Sequence, residues 1–250
     1  MAELLAVCRV HVLLPDAGTV GVTAIDKRPV EGRVKVRPFG LYADVQADRA
    51  NHGGLDQAVY AYAQEDADFW SAELGREVTP GLFGENLRTR GMDVNRAVIG
   101  ERWQVGSALL EVTQPRIPCQ TFGRRLEEQR WVRRFTQANR TGAFLRVINN
   151  GDLGSGDVVD VVHRPGHGVT VADWFAGRFG VARGEDPATT APAAAAPDVA
   201  AEPDEKGAPD PDTLEILAQR LLNAHVAGEI RLSVDMLRRT EQAAGRATVD

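Results

Sequence analysis

A cysteine that could do chemistry ends a proline-flanked hexapeptide, QPRIPC, at positions 114–119. Pro115 and Pro118 fix φ and lack a backbone donor, so we expect the preceding strand to stop there. This rigid connection would aim Cys119 at one place, with Arg116 three residues earlier. A nearby cation favours the thiolate, which is the nucleophilic and metal-binding form of cysteine. The hexapeptide by itself leaves open a buried structural cysteine on a kinked turn.

Two polar stretches earlier in the chain could share a site with this cysteine. Residues 44–56 contain the letters HGG and lead into an apolar VYAYA segment, and residues 80–87 read PGLFGENL. Glycine-bearing loops let backbone approach a ligand closely, and binding residues concentrate on such loops. The local alternative is that Glu85 and Asn86 only satisfy neighbouring backbone groups.

Short strands are expected to position these stretches. Runs at 4–14, 19–25 and 33–37 have strand-like apolar patterns and are separated by Gly- and Pro-containing turns. This spacing is typical of a closed or nearly closed β architecture. Apolar residues at helical spacing predict helices at 64–74 and 124–138. The predicted fold class is therefore mainly β with peripheral helices, an α+β domain.

The C-terminal part of the chain changes character. Residues 184–212 hold eight acidic residues, one lysine and six prolines, with no aromatic residue, which predicts a disordered linker. Two helical segments follow, with Asp212 and Ser233 as their starts. Such a pair cannot bury its apolar stripe alone, so it should dock onto the main domain or a partner. The expected organisation is a domain at 1–183, the linker, and a helical hairpin at 213–250.

Composition argues against several function classes. The chain has 250 residues and a net charge of −6, carried almost entirely by the acidic segment, so the remainder is nearly neutral. A nucleic-acid footprint or a basic membrane-binding face is therefore not expected. Two cysteines, Cys8 and Cys119, make no disulfide framework and fit a reducing compartment. With no secretory leader and no apolar run near ~18 residues, we expect a cytoplasmic protein without a membrane span.

Three pieces taken together resemble the MOSC domain, the module shared by molybdenum-cofactor sulfurases and amidoxime-reducing proteins. They are QAD and HGGLDQAVYAY between positions 46 and 62, FGENL at 83–87, and QPRIPC at 114–119. The resemblance is nearer to the bacterial YiiM-like branch and runs over residues 5–180. It implies a barrel-like β domain that binds a pterin-based molybdenum cofactor. It departs at Ala43 and Leu55, where related sequences usually carry Gly and Pro.

The resemblance also implies residue roles. Cys119 would be the metal ligand and a catalytic residue, since a soft thiolate suits such a metal. His52 and Asp48 would be catalytic groups that order the metal's surroundings or move protons. The implied cofactor-binding residues are Lys27, Arg33 and Arg116 for the phosphate, Gln46, Gly53, Gly54 and Asn86 for the pterin edge, and Asp56 and Glu85 for groups around the metal.

The function that follows from the resemblance is reduction of small N-hydroxylated compounds at the molybdenum centre. The chain has no Rossmann fingerprint, flavin motif or Fe–S cysteines, so a separate electron-donating reductase is implied. Two alternatives stay open: a cofactor carrier without turnover, and a binding domain in which Cys119 is structural. The sequence leaves a homodimer open as the assembly.

Overall fold

The computed structural model describes residues 1–48, 53–181 and 211–245, which form a large sheet, two small sheets and helices around them. The strands are β1 Glu3–Val10, β2 Leu14–Pro15, β3 Val22–Thr23, β4 Lys27–Pro29, β5 Val34–Arg37, β6 Gly40–Leu41, β7 Val59–Ala63, β8 Leu87–Arg90, β9 Arg102–Val105, β10 Ala108–Pro115, β11 Ala143–Asn149, β12 Gly151–Leu153 and β13 Val159–His163. The α-helices are α1 Gln64–Leu74, α2 Gln120–Leu126, α3 Trp131–Ala138, α4 Val171–Phe179, α5 Pro211–Val226 and α6 Val234–Ala243, and short 3₁₀ helices span Leu55–Gln57 and Val94–Arg96.

The large sheet has eight strands in the order β13-β9-β10-β11-β7-β8-β1-β4. Its pairs are antiparallel except β7 with β8, which run parallel. All five residues of β7 are buried, as expected for a central strand covered on both faces. The fold is therefore of the mixed α+β class, with helices packed against the large sheet.

The expected closed barrel is not found among the described strands. One bridge, Glu3 with Val158, and backbone bonds beside it tie the start of β1 to the segment before β13. The remainder of β1 pairs with β8 and β4, so little of its edge is left for β13. The sheet therefore curls towards closure without a continuous ladder across the last gap.

One local prediction near the cysteine is confirmed and another is corrected. The strand β10 ends at Pro115, as expected, and Pro115 still pairs with Ala143 because a proline is tolerated at a strand end where its nitrogen need not donate. The single helix expected at 124–138 is two helices, α2 and α3. Glu127 and Arg130 between them adopt positive φ, 57° and 52°, a conformation that ends one helix before the next begins.

Two hydrophobic clusters form the interior. One lies along the large sheet and includes apolar residues of α4, α5 and α6. The other is aromatic and lies among β7, α1, α2 and α3, with Trp70, Phe83, Trp131 and Phe135 in mutual ring contact. Because Phe122 of α2 also belongs to this aromatic cluster, the residue just before α2 is held on a packed base.

The C-terminal helices pack on the main body of the chain. Leu217 and Leu221 of α5 are buried in the same cluster as the sheet, and Arg146 of β11 donates to the Arg231 carbonyl. The predicted linker at 184–212 lies almost wholly outside the described residues, so the domain division remains a prediction. None of the described helices combines the length and apolarity needed to cross a membrane.

Candidate functional site

Cys119 is the residue immediately before α2, at the end of the kinked segment that follows β10. Its backbone is extended, with φ −123° and ψ 171°, and its carbonyl accepts from Gly123 N, so the helix begins directly after it. The residue is partly exposed and packs against the aromatic cluster. The segment therefore presents Cys119 at a surface instead of burying it in the core.

That surface is a cleft of about 650 Å³. Its walls come from the β2–β3 hairpin, the segment after β6, the loop before β8, and the segment from β10 into α2. Its described lining includes four cationic side chains, Lys27, Arg116, Arg124 and Arg239, and three acidic ones, Asp16, Asp44 and Asp48. Volumes of this size are ordinary for small-molecule and cofactor sites.

Arg116 is the most deeply placed cation of the cleft. Its guanidinium lies 3.7 Å from the ring centroid of Phe122 and 5.1 Å from that of Tyr60. Its Nη1 donates to the Phe83 carbonyl, and the residue is only 8% exposed. Among the described residues no carboxylate lies within ion-pair distance of it, and its partners are the two ring faces, the Phe83 carbonyl and a hydrogen bond with the Tyr60 side chain. A buried cation in this state favours an anionic ligand.

Lys27, Asp44 and Asn86 form a hydrogen-bonded row along the cleft. Lys27 Nζ is 2.7 Å from Asp44 Oδ2, and Asn86 Nδ2 donates to the same oxygen at 2.8 Å. Asn86 also donates to the Cys8 carbonyl and accepts from Tyr60 N. The Asn86 amide is thus committed to protein partners, and it braces Asp44, which in turn orients the ammonium of Lys27.

The loop that follows β6 contributes Gln46 and Asp48 to the cleft lining. Gln46 accepts from Gly54 N at 2.9 Å and donates to the carbonyls of Gly54 and Phe39. The side chain of Gln46 therefore holds the backbone of Gly54 in place. His52 lies outside the described residues, so its role stays a prediction.

Glu85 is fully buried and serves the backbone around it. Its carboxylate accepts from Gly81 N at 2.7 Å and from Phe83 N at 3.1 Å, and it pairs with the equally buried Arg88. This is the local role that the sequence left as the alternative. By holding the loop that carries the Phe83 carbonyl, Glu85 supports the acceptor of Arg116 and does not itself reach the cleft lining.

Besides Glu85, four of the expected cofactor residues are not in the cleft lining. Arg33, directly before β5, is half exposed and pairs with Asp152 and Asp157, because the pairing of β5 with β12 places it beside them and away from the cleft. Asp56 pairs with Arg146 and Arg231 and so faces the C-terminal segment. The remaining two, Gly53 and Gly54, lie behind the lining, where Gly54 is held by Gln46.

Sequence reasoning missed the cleft residues Asp16, Thr121 and Arg124. Asp16, in the turn of the β2–β3 hairpin, accepts from Arg124 Nε at 2.9 Å and Nη2 at 2.8 Å, and from Thr121 Oγ1 at 3.0 Å. These hydrogen bonds lower the pKa of the Asp16 carboxyl to about 2. The hydrogen bond from Arg124 has the largest effect, and those from the Gly18 amide and Thr121 add to it. The i, i+3 spacing of Thr121 and Arg124 directly after Cys119 is the signal that could have indicated them. Arg239 was missed as well.

Cys8 differs from Cys119 in its burial. It is fully buried in β1, and burial chiefly raises the pKa of its thiol to about 12. It therefore remains a neutral packing group, as expected from its apolar strand.

Comparisons with known proteins agree on one family. The MOSC domain family model matches residues 48–160. The Bacillus subtilis protein YflK is 33% identical over 157 residues, covering 63% of this chain and 70% of YflK. Escherichia coli YiiM is 30% identical over 146 residues, covering 57% of this chain and 65% of YiiM. A protein of Gibberella moniliformis named reductase is 33% identical over 147 residues, but this match spans only 26% of that longer protein.

Solved structures support the fold. The crystal structure of YiiM from Geobacillus stearothermophilus has a TM-score of 0.69 at 21% identity, covering 99% of this chain and all of that one. The Escherichia coli YiiM structure has a TM-score of 0.66 at 20% identity, over 99% and 96% of the two chains. At these identities the likeness is one of fold, and it extends beyond the 48–160 segment of the family match.

Proposed function

Since the chain belongs to the MOSC domain family, we propose that it binds a molybdenum cofactor in the Cys119 cleft and reduces N-hydroxylated compounds there. The observation that carries the proposal is the partly exposed Cys119 on the wall of a cavity of about 650 Å³ that is also lined by Lys27 and Arg116. The redox class is supported by the relative named reductase.

The residues present fit such a cofactor. Cys119 supplies a soft ligand for the metal. Arg116 and Lys27 supply charge-assisted donors for a phosphate, and Arg116 in particular has no competing carboxylate among the described residues. Arg33, which was expected to share this task, is paired elsewhere, so we assign the phosphate to Arg116 and Lys27.

The chain's own residues would bind the reactants and handle protons. When bound, the cofactor supplies the two-electron reduction that converts N–OH into N–H and water. Two protons must accompany those electrons. Lys27 Nζ, held by Asp44, can donate one, and the Asp48 carboxyl is our candidate for passing the other from solvent. The aromatic cluster beneath Cys119 and Arg116 keeps water from that side of the cleft.

The electrons would come from a separate reductase. The alternative is a non-catalytic cofactor carrier. A carrier would need the same cysteine and cations to bind the cofactor, whereas a reductase would need the proton donors as well. The test that separates them gives the cofactor-loaded protein a reduced viologen and a hydroxylamine-type substrate. Consumption of substrate with formation of the amine supports the reductase. Cofactor binding without consumption supports the carrier.

The metal site itself is tested by Cys119→Ser. We expect the variant, made in a host that synthesises the cofactor, to fold normally and lose bound molybdenum, measured by inductively coupled plasma mass spectrometry. Cys8→Ala is the matched control, since it removes the other thiol without touching the cleft lining. Wild-type molybdenum content in Cys119→Ser would contradict the proposal.

A further inference from the structure

The Cys119 cleft receives a side chain from the C-terminal helices. In the described part of the chain, Arg239 of α6 is the residue after position 210 that lines the cleft. Its side chain is 26% exposed, so it is partly accessible to solvent and to a ligand. It is about 120 residues away in sequence from Cys119, and no local pattern predicts that the two share a cavity.

The backbone that carries Arg239 is firmly positioned. Ser233 caps α6 by accepting from Met236 N at 3.0 Å. Met236 and Thr240, on the face next to Arg239, are buried, and Met236 belongs to the hydrophobic cluster of the large sheet. A helix fixed in this way holds the arginine at a defined place relative to the cleft, which a solvated helix would not do.

The charges around Arg239 leave an excess of positive charge. In the described part of the chain its carboxylate partner is Asp235, which lies one turn earlier on α6 and has a side chain 47% exposed. Arg178 of α4 approaches the same pair. Burial has the largest effect on the pKa of the Arg178 guanidinium and lowers it, and the charge of Arg239 lowers it further. Arg178 Nε is also buried without a hydrogen-bond partner in the described residues. Two guanidinium groups thus share one exposed carboxylate, a setting that favours a further anion.

We propose that Arg239 is an anion-binding residue of the cleft, which donates to a phosphate oxygen of the molecule held beside Cys119. The proposal rests on the proposed function and extends it, because it makes the C-terminal helices part of the binding site. The planar fork of an arginine matches phosphate geometry, and exchange of the exposed Asp235 partner for a phosphate costs little. The phosphate could belong to the cofactor or to a phosphorylated substrate.

The test is isothermal titration calorimetry, in which inorganic phosphate is titrated into the cofactor-free protein of 250 residues. Loss of one charge-assisted contact is expected to weaken binding about tenfold in Arg239→Gln. Arg238→Gln is the matched control, since Arg238 is the neighbouring exposed arginine outside the cleft lining. Arg239→Lys should retain most of the affinity, and Asp235→Asn should tighten binding by removing the internal competitor.

Equal phosphate affinity in wild type and Arg239→Gln, with both folded by circular dichroism, would overturn the inference. So would an equal loss in Arg238→Gln, which would indicate a diffuse charge effect. Repeating the titration with cofactor-loaded protein separates the two sources. Phosphate excluded by the bound cofactor indicates the cofactor's own phosphate at Arg239, and phosphate that still binds indicates a substrate phosphate.

This outcome is independent of the molybdenum experiment, because the first titration uses protein without cofactor. An unchanged Arg239→Gln affinity together with molybdenum loss in Cys119→Ser removes only the role of Arg239. A weakened affinity together with retained molybdenum in Cys119→Ser leaves an anion-binding cleft and removes the metal assignment.

Discussion

Ala43 holds a backbone conformation that its own side chain disfavours. Its φ is 61°, in the left-handed region that glycine tolerates far better than alanine. It lies in the turn in which Asp44 N donates to the Leu41 carbonyl, and Asp44 is the carboxylate that orients Lys27. The strain is thus located directly beside the row of cleft residues formed by Lys27, Asp44 and Asn86.

Ala43→Gly should therefore stabilise the protein. Relief of the left-handed strain, about 1–2 kcal/mol, exceeds the backbone entropy that glycine adds to the unfolded chain, so we expect about 0.5–1 kcal/mol more free energy of unfolding in urea. Ala72→Gly, at an exposed position of α1, is the control and should lower it by a similar amount. A destabilised Ala43→Gly protein would show that the turn is not strained.

At the scale of elements, Asp16 of the β2–β3 hairpin accepts hydrogen bonds from Thr121 and Arg124 of α2 and so connects the two elements. Since the pKa of Asp16 is lowered to about 2 in the folded protein, its contribution is fully present above the unfolded value of about 4 and disappears as the pH falls from about 4 to about 2. At neutral pH the hairpin is therefore expected to stay tied to the helix that follows Cys119.

Asp16→Asn should loosen this connection. We expect faster amide hydrogen exchange in a peptide covering 14–23 for the variant than for the wild type at pH 6, and no difference in β10 and β11. The difference should shrink as the pH falls towards 2 and vanish below it, since the wild-type carboxyl is then increasingly protonated. A difference in exchange that is independent of pH would contradict an origin in the ionised Asp16–Arg124 pair.

The limits of sequence prediction are clearest for the elements on either side of Cys119. The proline kink, the strand before it and the aromatic spacing of the following helices depend on neighbouring residues, so they could be predicted. The separation of α2 from α3 was not predicted. It coincides with positive φ at Glu127 and Arg130, and Phe122 and Trp131, one on each helix, pack against each other in the aromatic cluster.

At the scale of the whole molecule, the C-terminal helices and the large sheet share one hydrophobic cluster. Leu221 of α5 is fully buried within it, and Gly100, before β9, faces the side chain of Ile230 across the same contact. These contacts indicate that the helices stabilise the sheet domain and keep Arg239 at the cleft.

Leu221→Ala should lower the free energy of unfolding by about 2–5 kcal/mol. The four tryptophans of the chain all precede the C-terminal helices, so tryptophan fluorescence in urea reports on the sheet domain itself. Val226→Ala, at a residue 82% exposed, is the control and should change the stability by less than about 0.5 kcal/mol. An unshifted fluorescence transition in Leu221→Ala would mean that the helices are an independent appendage.

The sequence by itself determined the reactive candidate and the loops near it, because the prolines before Cys119 and the glycines around Phe83 act on their own neighbours. Only the tertiary structure decided which charges surround the cysteine. It paired Arg33 with acidic residues of another sheet, committed Asn86 to bracing Asp44, and brought Arg239 to the cleft. Charges on distant segments meet through packing of the sheet and helices, and no spacing along the chain encodes those distances.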